Sequence, residues 1–257
     1  MSPELTTTVE NAYRVFARYP LKGTVAVCRC PVCVDEASEK ALSKTPIRQI
    51  SARLLAEYTH SAHFWDGKVE DDFRYLLPRY FELIASGDVP SNTGIETCLE
   101  RMREAHYRKT WPKAEAAAID AFFLARFRAA LAEPVSPDAM GFVAEDCDAA
   151  EKTLCMVAHA GGDIAPLLAT WDADRNRAAA CHIANIVVSA DWRKKKLRNS
   201  WWPMHGRADT VAAMEQVIAW LLRPQTCERL ETACLAETNE GVEALLSHAE
   251  GIVRGLI

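Results

Sequence analysis

Three cysteines lie within six residues near the start of the chain, in the segment Cys28-Arg29-Cys30-Pro31-Val32-Cys33. Two of them bracket a proline, which favours a turn and lets the two sulfur atoms converge on one ion. Zn²⁺ accepts thiolate and imidazole ligands in tetrahedral sites, four to an ion when the site is structural. The segment therefore predicts a metal site to which Cys28, Cys30 and Cys33 contribute.

A closed zinc site needs further ligands, and two histidines are placed to supply them. His60 and His63 are three residues apart on a helix that we predict to begin near Ile47, so both imidazoles share one helix face. We expect a structural Zn²⁺ held by Cys30, Cys33 and these histidines, with Cys28 as an alternative ligand in a Cys₃His set. The Cys-Pro-x-Cys turn resembles the knuckles of zinc-ribbon and rubredoxin-like sites, although Val34 occupies the position where those knuckles usually carry glycine.

Two other interpretations of the cysteine segment stay open. The thiols could be small apolar residues packed where a strand meets a helix, with both histidines exposed. Alternatively, a strand at residues 25–27, the Cys30-Pro31-Val32-Cys33 turn and a helix from Asp35 follow the local order of glutaredoxin-like redox proteins. That fold needs downstream strands that the sequence lacks, and Asp35 and Glu36 would raise the pKa of nearby thiols.

A second candidate segment, residues 192–202, combines five cations with three tryptophans. We predict that it binds a partner through Arg193, Lys194, Lys195, Lys196, Arg198, Trp201 and Trp202. Cations interleaved with aromatic rings suit single-stranded nucleic acid, and an acidic protein surface would use the same patch. The alternative is a solvated connector in which residues 201–203 fill a gap between helices.

Helical periodicity dominates the elements that must position these segments. We predict about ten helices, the clearest at 70–86, 93–109, 111–133, 136–161, 163–171, 174–190, 209–222, 224–236 and 239–255, with a short one at 35–42. Pro78 predicts a kink or a division of its helix, and Gly23–Val27 is the one strand signal. The fold class is therefore all-α, an irregular multi-helix array that could stack as a solenoid, with a short β/turn cysteine knuckle near the N-terminus.

Composition and charge narrow the class of protein. The 257 residues are 49% hydrophobic and 25% charged, close to soluble globular averages, which excludes disordered and fibrous classes. We predict a single helical domain over 1–257 with a waist at 133–137. Residues 1–133 carry 18 basic and 18 acidic side chains, so the net charge of −5 arises entirely in the remainder, where there are 12 and 17. This distribution argues against a duplex-DNA binder and suits a basic protein partner.

We expect a cytoplasmic protein without membrane association. No apolar run approaches the roughly 20 residues that span a bilayer, and the first residues lack the pattern of a secretory signal. Nine cysteines are an odd number, which favours reduced thiols over a disulfide framework. Known catalytic motifs, including G-x-S-x-G, H-E-x-x-H and glycine-rich phosphate loops, are absent, so no catalytic residue is predicted and a non-enzymatic role is favoured.

The segment 72–83, DFRYLLPRYFEL, together with the Cys30-Pro31-Val32-Cys33 turn and Trp201-Trp202-Pro203, resembles a group of uncharacterised bacterial cytoplasmic all-helical proteins. The resemblance implies an accessory or immunity-type protein that binds another protein, and it brings no established activity. Our first hypothesis is therefore a non-enzymatic helical binding protein, such as an antitoxin or immunity protein with a basic toxin as partner, with a structural zinc. The alternatives are a metal- or thiol-dependent enzyme acting through Cys30 and Cys33, and a single-stranded nucleic-acid binder acting through 192–202.

Overall fold

A computed structural model describes residues 1–28, 30, 33–62, 67–144, 147–204 and 207–257. This described part of the chain is 66% helical, and its β pairing is limited to one isolated antiparallel bridge between Asp191 and Lys196. The predicted all-α fold class is confirmed, and Cys28, Cys30 and Cys33 of the predicted cysteine knuckle are among the described residues. Within the described ranges, no helix is both long enough and apolar enough to cross a membrane.

The chain folds into two compact units. The N-terminal unit comprises Met1–Arg126 and His159–Gly162, and the C-terminal unit comprises Phe127–Ala158 and Asp163–Ile257. Each unit buries its own set of apolar side chains. The single domain with a waist at 133–137 stays a prediction.

The N-terminal unit is built around helices α1 and α4, which pack against each other. The Tyr13 hydroxyl donates to Glu82 Oε2 across this contact at 2.6 Å, and the rings of Phe81 and Phe122 stack with centroids 3.9 Å apart. Helix α4 continues through Pro78, so the predicted division into two short helices does not occur. The helices of this unit are α1 (Pro3–Phe16), α2 (Glu36–Lys44), α3 (Ala52–His60), α4 (Gly67–Ser86), α5 (Arg101–Glu104), α6 (Tyr107–Thr110) and α7 (Lys113–Ala132) as far as Arg126, with 3₁₀ turns at Ile47–Gln49 and Ile95–Thr97.

Helix α1 was not among the predicted elements, although its start carries clear signals. The Ser2 side chain caps it by accepting from the Leu5 backbone N–H, and Pro3 occupies the first turn, where a missing N–H costs nothing. The buried face of Leu5, Val9, Ala12 and Phe16 follows the helical period. Periodicity and cap together would have identified this helix.

The predicted helix over 93–109 is wrong as one continuous element. The structure divides it into the 3₁₀ turn, α5 and α6, and His106 adopts a left-handed conformation with φ 48° between α5 and α6. Met102 and Tyr107 are both buried, yet a straight helix would point them about 140° apart. The break therefore lets both side chains reach the core.

The predicted helix over 136–161 begins later than expected, at Ala149. The Asp138 carboxylate accepts from the backbone N–H groups of Met140 and Phe142 at 2.9 and 3.0 Å, which closes a turn in place of a helical start. Gly141 continues this turn at φ 85°, where an added Cβ would lie 2.8 Å from the Leu245 backbone nitrogen. Asp138, inside the range predicted as helix, thus stabilises a turn.

The C-terminal unit surrounds helix α10, which is buried along most of its length and packs against α12 and α13. Trp171 lies in its core, with ring centroids 5.4 Å from Phe127 and 5.0 Å from Trp220. Predicted helices over 174–190, 209–222, 224–236 and 239–255 are confirmed to within about three residues at their ends. The helices after α7 are α8 (Ala149–His159), α9 (Ala165–Ala173), α10 (Arg177–Ser189), α11 (Ala208–Leu221), α12 (Pro224–Leu235) and α13 (Glu240–Leu256).

Candidate metal centre

The three sulfur atoms of Cys28, Cys30 and Cys33 all lie within 4.8 Å of one another. Cys28 and Cys33 are half-buried, Cys30 is exposed, and all three are free thiols. Sulfur ligands around a zinc ion at the usual 2.3 Å bond length stand about 3.8 Å apart. The knuckle thus holds its thiols close to the spacing of a metal site, and it is the one such group of three or more residues among those that the structure describes.

Hydrogen bonds to the end of α3 orient the knuckle. The Cys33 backbone N–H donates to the Cys30 carbonyl at 3.2 Å, which links these two cysteines directly. The Cys28 backbone N–H donates to Ser61 Oγ at 2.8 Å, and the Ala62 backbone N–H donates to the Cys33 sulfur. Both outer cysteines are therefore held on residues 61–62, directly after α3.

The segment before the knuckle is anchored by side chains and does not form the predicted strand at Gly23–Val27. The Val25 N–H donates to Ser43 Oγ at 3.0 Å, and the Ala26 N–H donates to Asp72 Oδ2 at 2.8 Å. Lys68 Nζ lies 2.9 Å from the same Asp72 oxygen. In a β-strand, backbone N–H groups donate to the carbonyls of a neighbouring strand. Here the side chains of Ser43 and Asp72 accept from the N–H groups of Val25 and Ala26 instead.

Asp72 holds the segment before the cysteines by accepting from Ala26, a role that the sequence did not predict. The helix predicted over 70–86 would place Asp72 in its first turn, but α4 begins earlier, at Gly67, and Asp72 is only 3% exposed. It lies one turn before Leu76 and two before Tyr80, on the buried stripe of α4. A carboxylate on an apolar stripe is the signal that could have revealed a buried partner, although nothing in the sequence identified that partner as Ala26.

Arg101 supports the knuckle from the other side of residues 58–61. Its guanidinium, with the residue 5% exposed, donates to the carbonyls of Tyr58 and Ser61, the latter at 2.8 Å. The same group lies over the Tyr58 ring, 4.0 Å from its centroid. Arg101 thus fixes the Ser61 carbonyl by a hydrogen bond, and the Ser61 hydroxyl accepts from the Cys28 N–H.

Replacing Arg101 with methionine is expected to weaken zinc binding about tenfold and to lower the free energy of unfolding by about 2 kcal/mol. The variant leaves two buried carbonyls without their charged donor, and each such loss costs about 1–3 kcal/mol before any gain from removing a buried charge. Zinc titration and urea denaturation measure the two effects. Arg53→Met, at an exposed position on α3, is the matched control. Unchanged zinc affinity in Arg101→Met would show that the end of α3 does not position the knuckle.

The surroundings of Cys33 favour its protonated thiol. The N–H of Ala62 lowers the pKa of Cys33, but hydrogen bonds with Cys30 and Cys28, together with burial, outweigh it and raise the pKa above its ordinary value. Reactive cysteines of redox enzymes have the opposite shift, since the thiolate is the nucleophile. The Cys33 thiol is therefore a weaker nucleophile at neutral pH than a low-pKa cysteine of a redox enzyme.

The two predicted histidine ligands have different outcomes. His60 is exposed at the end of α3, where its Nε2 accepts from the Asn92 backbone N–H at 2.9 Å. Partial burial of the ring lowers the pKa of His60, while Glu57 opposes this shift and Arg101 adds to it. His60 is not part of the group formed by the three sulfurs, and His63 lies outside the described residues.

The basic segment forms a tight turn after α10. Asp191 and Lys196 exchange two backbone hydrogen bonds of 2.8 and 3.0 Å, and Lys195 adopts φ 51° in the turn between them. The cations at 193–196 are exposed, whereas Arg198 and Trp201 are half-buried. This turn presents a basic surface made of Arg193, Lys194, Lys195 and Lys196.

Trp202, predicted to bind a partner, lies in the core of the C-terminal unit with 0% exposure. Its indole N–H donates to Glu151 Oε1 at 3.0 Å, and the Asn199 backbone N–H donates to the same oxygen at 3.0 Å. The carboxylate thereby connects α8 to residues 199–202. Trp202 fills a gap between helices, as the connector interpretation of the segment expects.

Glu151→Gln is expected to be more stable than the parent protein at pH 7, with an advantage that shrinks toward pH 4. Burial raises the pKa of Glu151, although its hydrogen bonds with Asn199 and Trp202 oppose the shift. A raised pKa means that the folded state binds the proton more tightly, so the stabilisation from the protonated form is lost as pH rises through the folded-state pKa. Glutamine keeps the accepting oxygen and carries no charge.

Urea denaturation at several pH values tests this prediction. Glu151→Ala is the control, because it leaves both donors without an acceptor and should lose about 2 kcal/mol at every pH. A Gln variant that is less stable than the parent at pH 7 would contradict the assigned sign.

Comparison of the chain with family profiles, with curated proteins and with solved structures found no match in any of the three.

Proposed function

We propose that this chain is a non-enzymatic helical binding protein whose N-terminal unit holds a zinc ion on Cys28, Cys30 and Cys33. The observation that carries the proposal is the convergence of three sulfur atoms within 4.8 Å of one another. Thiolates at this spacing select soft or borderline ions such as Zn²⁺ over Mg²⁺ or Ca²⁺. His63 follows Ala62 in the chain and stays the sequence-based prediction for a fourth ligand.

The role of such an ion would be structural. The residues that the structure describes between 24 and 34 lie in no strand or helix, and the backbone N–H groups of Val25, Ala26 and Cys28 donate to side chains from elsewhere in the chain. A metal ion that crosslinks Cys28 to Cys33 would fix this segment against the end of α3. Metal-binding free energy then contributes directly to the stability of the folded N-terminal unit.

Two features support a binding role over an enzymatic one. The raised pKa of Cys33 disfavours a thiolate nucleophile. The exposed cations of the 191–196 turn offer a surface to an acidic protein partner, and the burial of Trp202 removes an aromatic platform that single-stranded nucleic acid would need. The acidic balance of residues 134–257 suits a basic partner, such as a toxin, elsewhere on the surface.

Metal analysis of the purified protein, followed by Co²⁺ substitution, tests the proposal. We expect one ion per chain and thiolate-to-cobalt charge-transfer absorption that is lost in Cys30→Ser and in Cys33→Ser. Cys234→Ser, a half-buried cysteine of the C-terminal unit, is the matched control and should keep both signals. Absence of bound metal, or cobalt absorption unaffected by the knuckle variants, would overturn the zinc assignment.

The binding role has a separate test. Affinity capture from the source strain should recover a stoichiometric protein partner. A triple variant with Lys194, Lys195 and Lys196 changed to glutamate then distinguishes an acidic partner on the basic turn from a basic partner on the acidic surface. Loss of capture assigns the partner to the basic turn, whereas retention assigns it to the acidic surface. Turnover of a small molecule that depends on Cys30 or Cys33 would favour the enzyme alternative.

A further inference from the structure

An open cavity of about 480 Å³ lies in the C-terminal unit, lined by residues of α10, α12 and the loop before α10. Three alanines, Ala180, Ala233 and Ala236, line it, and their small side chains leave the space open. A smaller cavity of about 220 Å³ adjoins it, because Arg175 and Arg229 line both. The larger volume falls within the range of small-molecule sites, which combine an apolar wall with a few polar groups.

Two guanidinium groups concentrate positive charge where the cavities meet. Arg229 donates to the carbonyls of Trp171, at 2.6 Å, and of Asp174, which fixes its direction at the end of α9. Arg175 is exposed and makes no hydrogen bond or ion pair with any residue that the structure describes. Burial and, next, the neighbouring charge of Arg175 lower the pKa of Arg229. An anion between the two groups would relieve this repulsion.

The other charges around the cavity limit the charge of a ligand. Arg177 and Glu237 form an ion pair of 2.5 Å, so their charges cancel where they line the cavity. The pKa of Glu237 falls to about 2 because Arg177 donates a hydrogen bond to its carboxylate. Asp172 is paired with Arg223 at 2.6 Å. Glu228 is exposed on the cavity rim and would repel a second negative charge on a ligand. The balance of charge therefore suits a singly charged anion and disfavours a polyanion.

We propose that this cavity binds a small organic anion with one carboxylate and a compact apolar body. The carboxylate pairs with Arg175 and Arg229, and the apolar body lies against the three alanines. The side-chain amides of Asn176 and Gln225 line the same space and can hydrogen-bond to the head group. The site is independent of the zinc proposal, since every residue in it belongs to the C-terminal unit.

Ligand-observed NMR titration of the full chain at low salt tests the proposal with four probes. Hexanoate is the test ligand. Hexylammonium and hexanol have a similar alkyl chain with a cationic or neutral head group, and inorganic phosphate is an anion without an alkyl chain. We expect saturable hexanoate binding with a dissociation constant on the order of 1 mM, and at least tenfold weaker binding of the other three. Equal binding of hexanoate and hexylammonium, tighter binding of phosphate, or no saturable hexanoate binding would overturn it.

Two variants locate the site. Arg175→Gln removes a charge that has no partner among the described residues, so it should leave the fold intact and weaken hexanoate binding about tenfold. Ala233→Leu fills the half-buried wall and should abolish binding. Arg53→Gln, an exposed arginine of the N-terminal unit, is the control for charge alone. Hexanoate binding that is unchanged in both cavity variants would place it elsewhere and refute the assignment.

Discussion

Replacing Cys33 with serine is expected to abolish the zinc binding proposed for the N-terminal unit, together with the stabilisation that a bound ion would give. Cys33 shares the knuckle with two other thiols within 4.8 Å, so its loss leaves too few sulfur ligands to retain the ion. A ligand present at a thousandfold excess over its dissociation constant stabilises the folded state by about 4 kcal/mol. The shift in the denaturation midpoint between zinc-loaded and chelator-treated protein measures the effect.

The matched comparison is between cysteines inside and outside the knuckle. Cys28→Ser and Cys30→Ser should reduce or remove the zinc-dependent shift, whereas Cys234→Ser should leave it intact. Because serine is nearly isosteric with cysteine, the metal-free proteins should have similar midpoints. A zinc-dependent shift of equal size in Cys33→Ser and the parent would mean that the ion binds at some other site.

Trp202→Ala is expected to lower the free energy of unfolding of the C-terminal unit by about 3–5 kcal/mol, the usual cost of emptying a buried aromatic site. The indole is 0% exposed, and its N–H is one of two donors to the buried Glu151 oxygen. Its removal leaves a cavity and a carboxylate with a weakened hydrogen-bond shell. Urea denaturation followed by tryptophan fluorescence and by circular dichroism measures the loss.

Trp201 provides the control, because it is adjacent in the chain but half-buried. Trp201→Ala should cost less than half as much, and a partner that binds through the basic turn should still bind it. Equal losses for the two variants would contradict the distinct roles assigned to the two tryptophans. No loss in Trp202→Ala would show that the residue does not support the core.

The helices were predictable wherever one apolar stripe determines one element. Helices α10 to α13 have apolar stripes and clear ends, and the sequence predicts all four. Helix α7 has no such stripe and was predictable from the prolines at its two ends. Prediction failed where side chains compete with the backbone, as at Asp138, or where distant packing breaks a helix, as between α5 and α6. These outcomes depend on tertiary contacts, which local periodicity does not contain.

The candidate site was likewise predictable only in part. Convergence of the three sulfurs was predictable, because Cys28, Cys30 and Cys33 are close in sequence and the proline favours a turn. The supports, Asp72 and Arg101, reach the knuckle from 46 and 40 residues away, by hydrogen bonds to Ala26 and Ser61. No local pattern specifies such pairs. The basic turn was predicted as a surface, but only burial distinguished its exposed cations from Trp202.

X-ray absorption at the zinc edge of the zinc-loaded chain tests the central claim most directly, because it identifies the atoms bound to the ion. The proposal predicts three sulfur neighbours at about 2.3 Å, with at most one nitrogen or oxygen completing the shell. In Cys33→Ser the number of sulfur neighbours should fall, if any ion remains. A shell of nitrogen and oxygen alone in the parent protein would contradict the three-thiolate zinc centre.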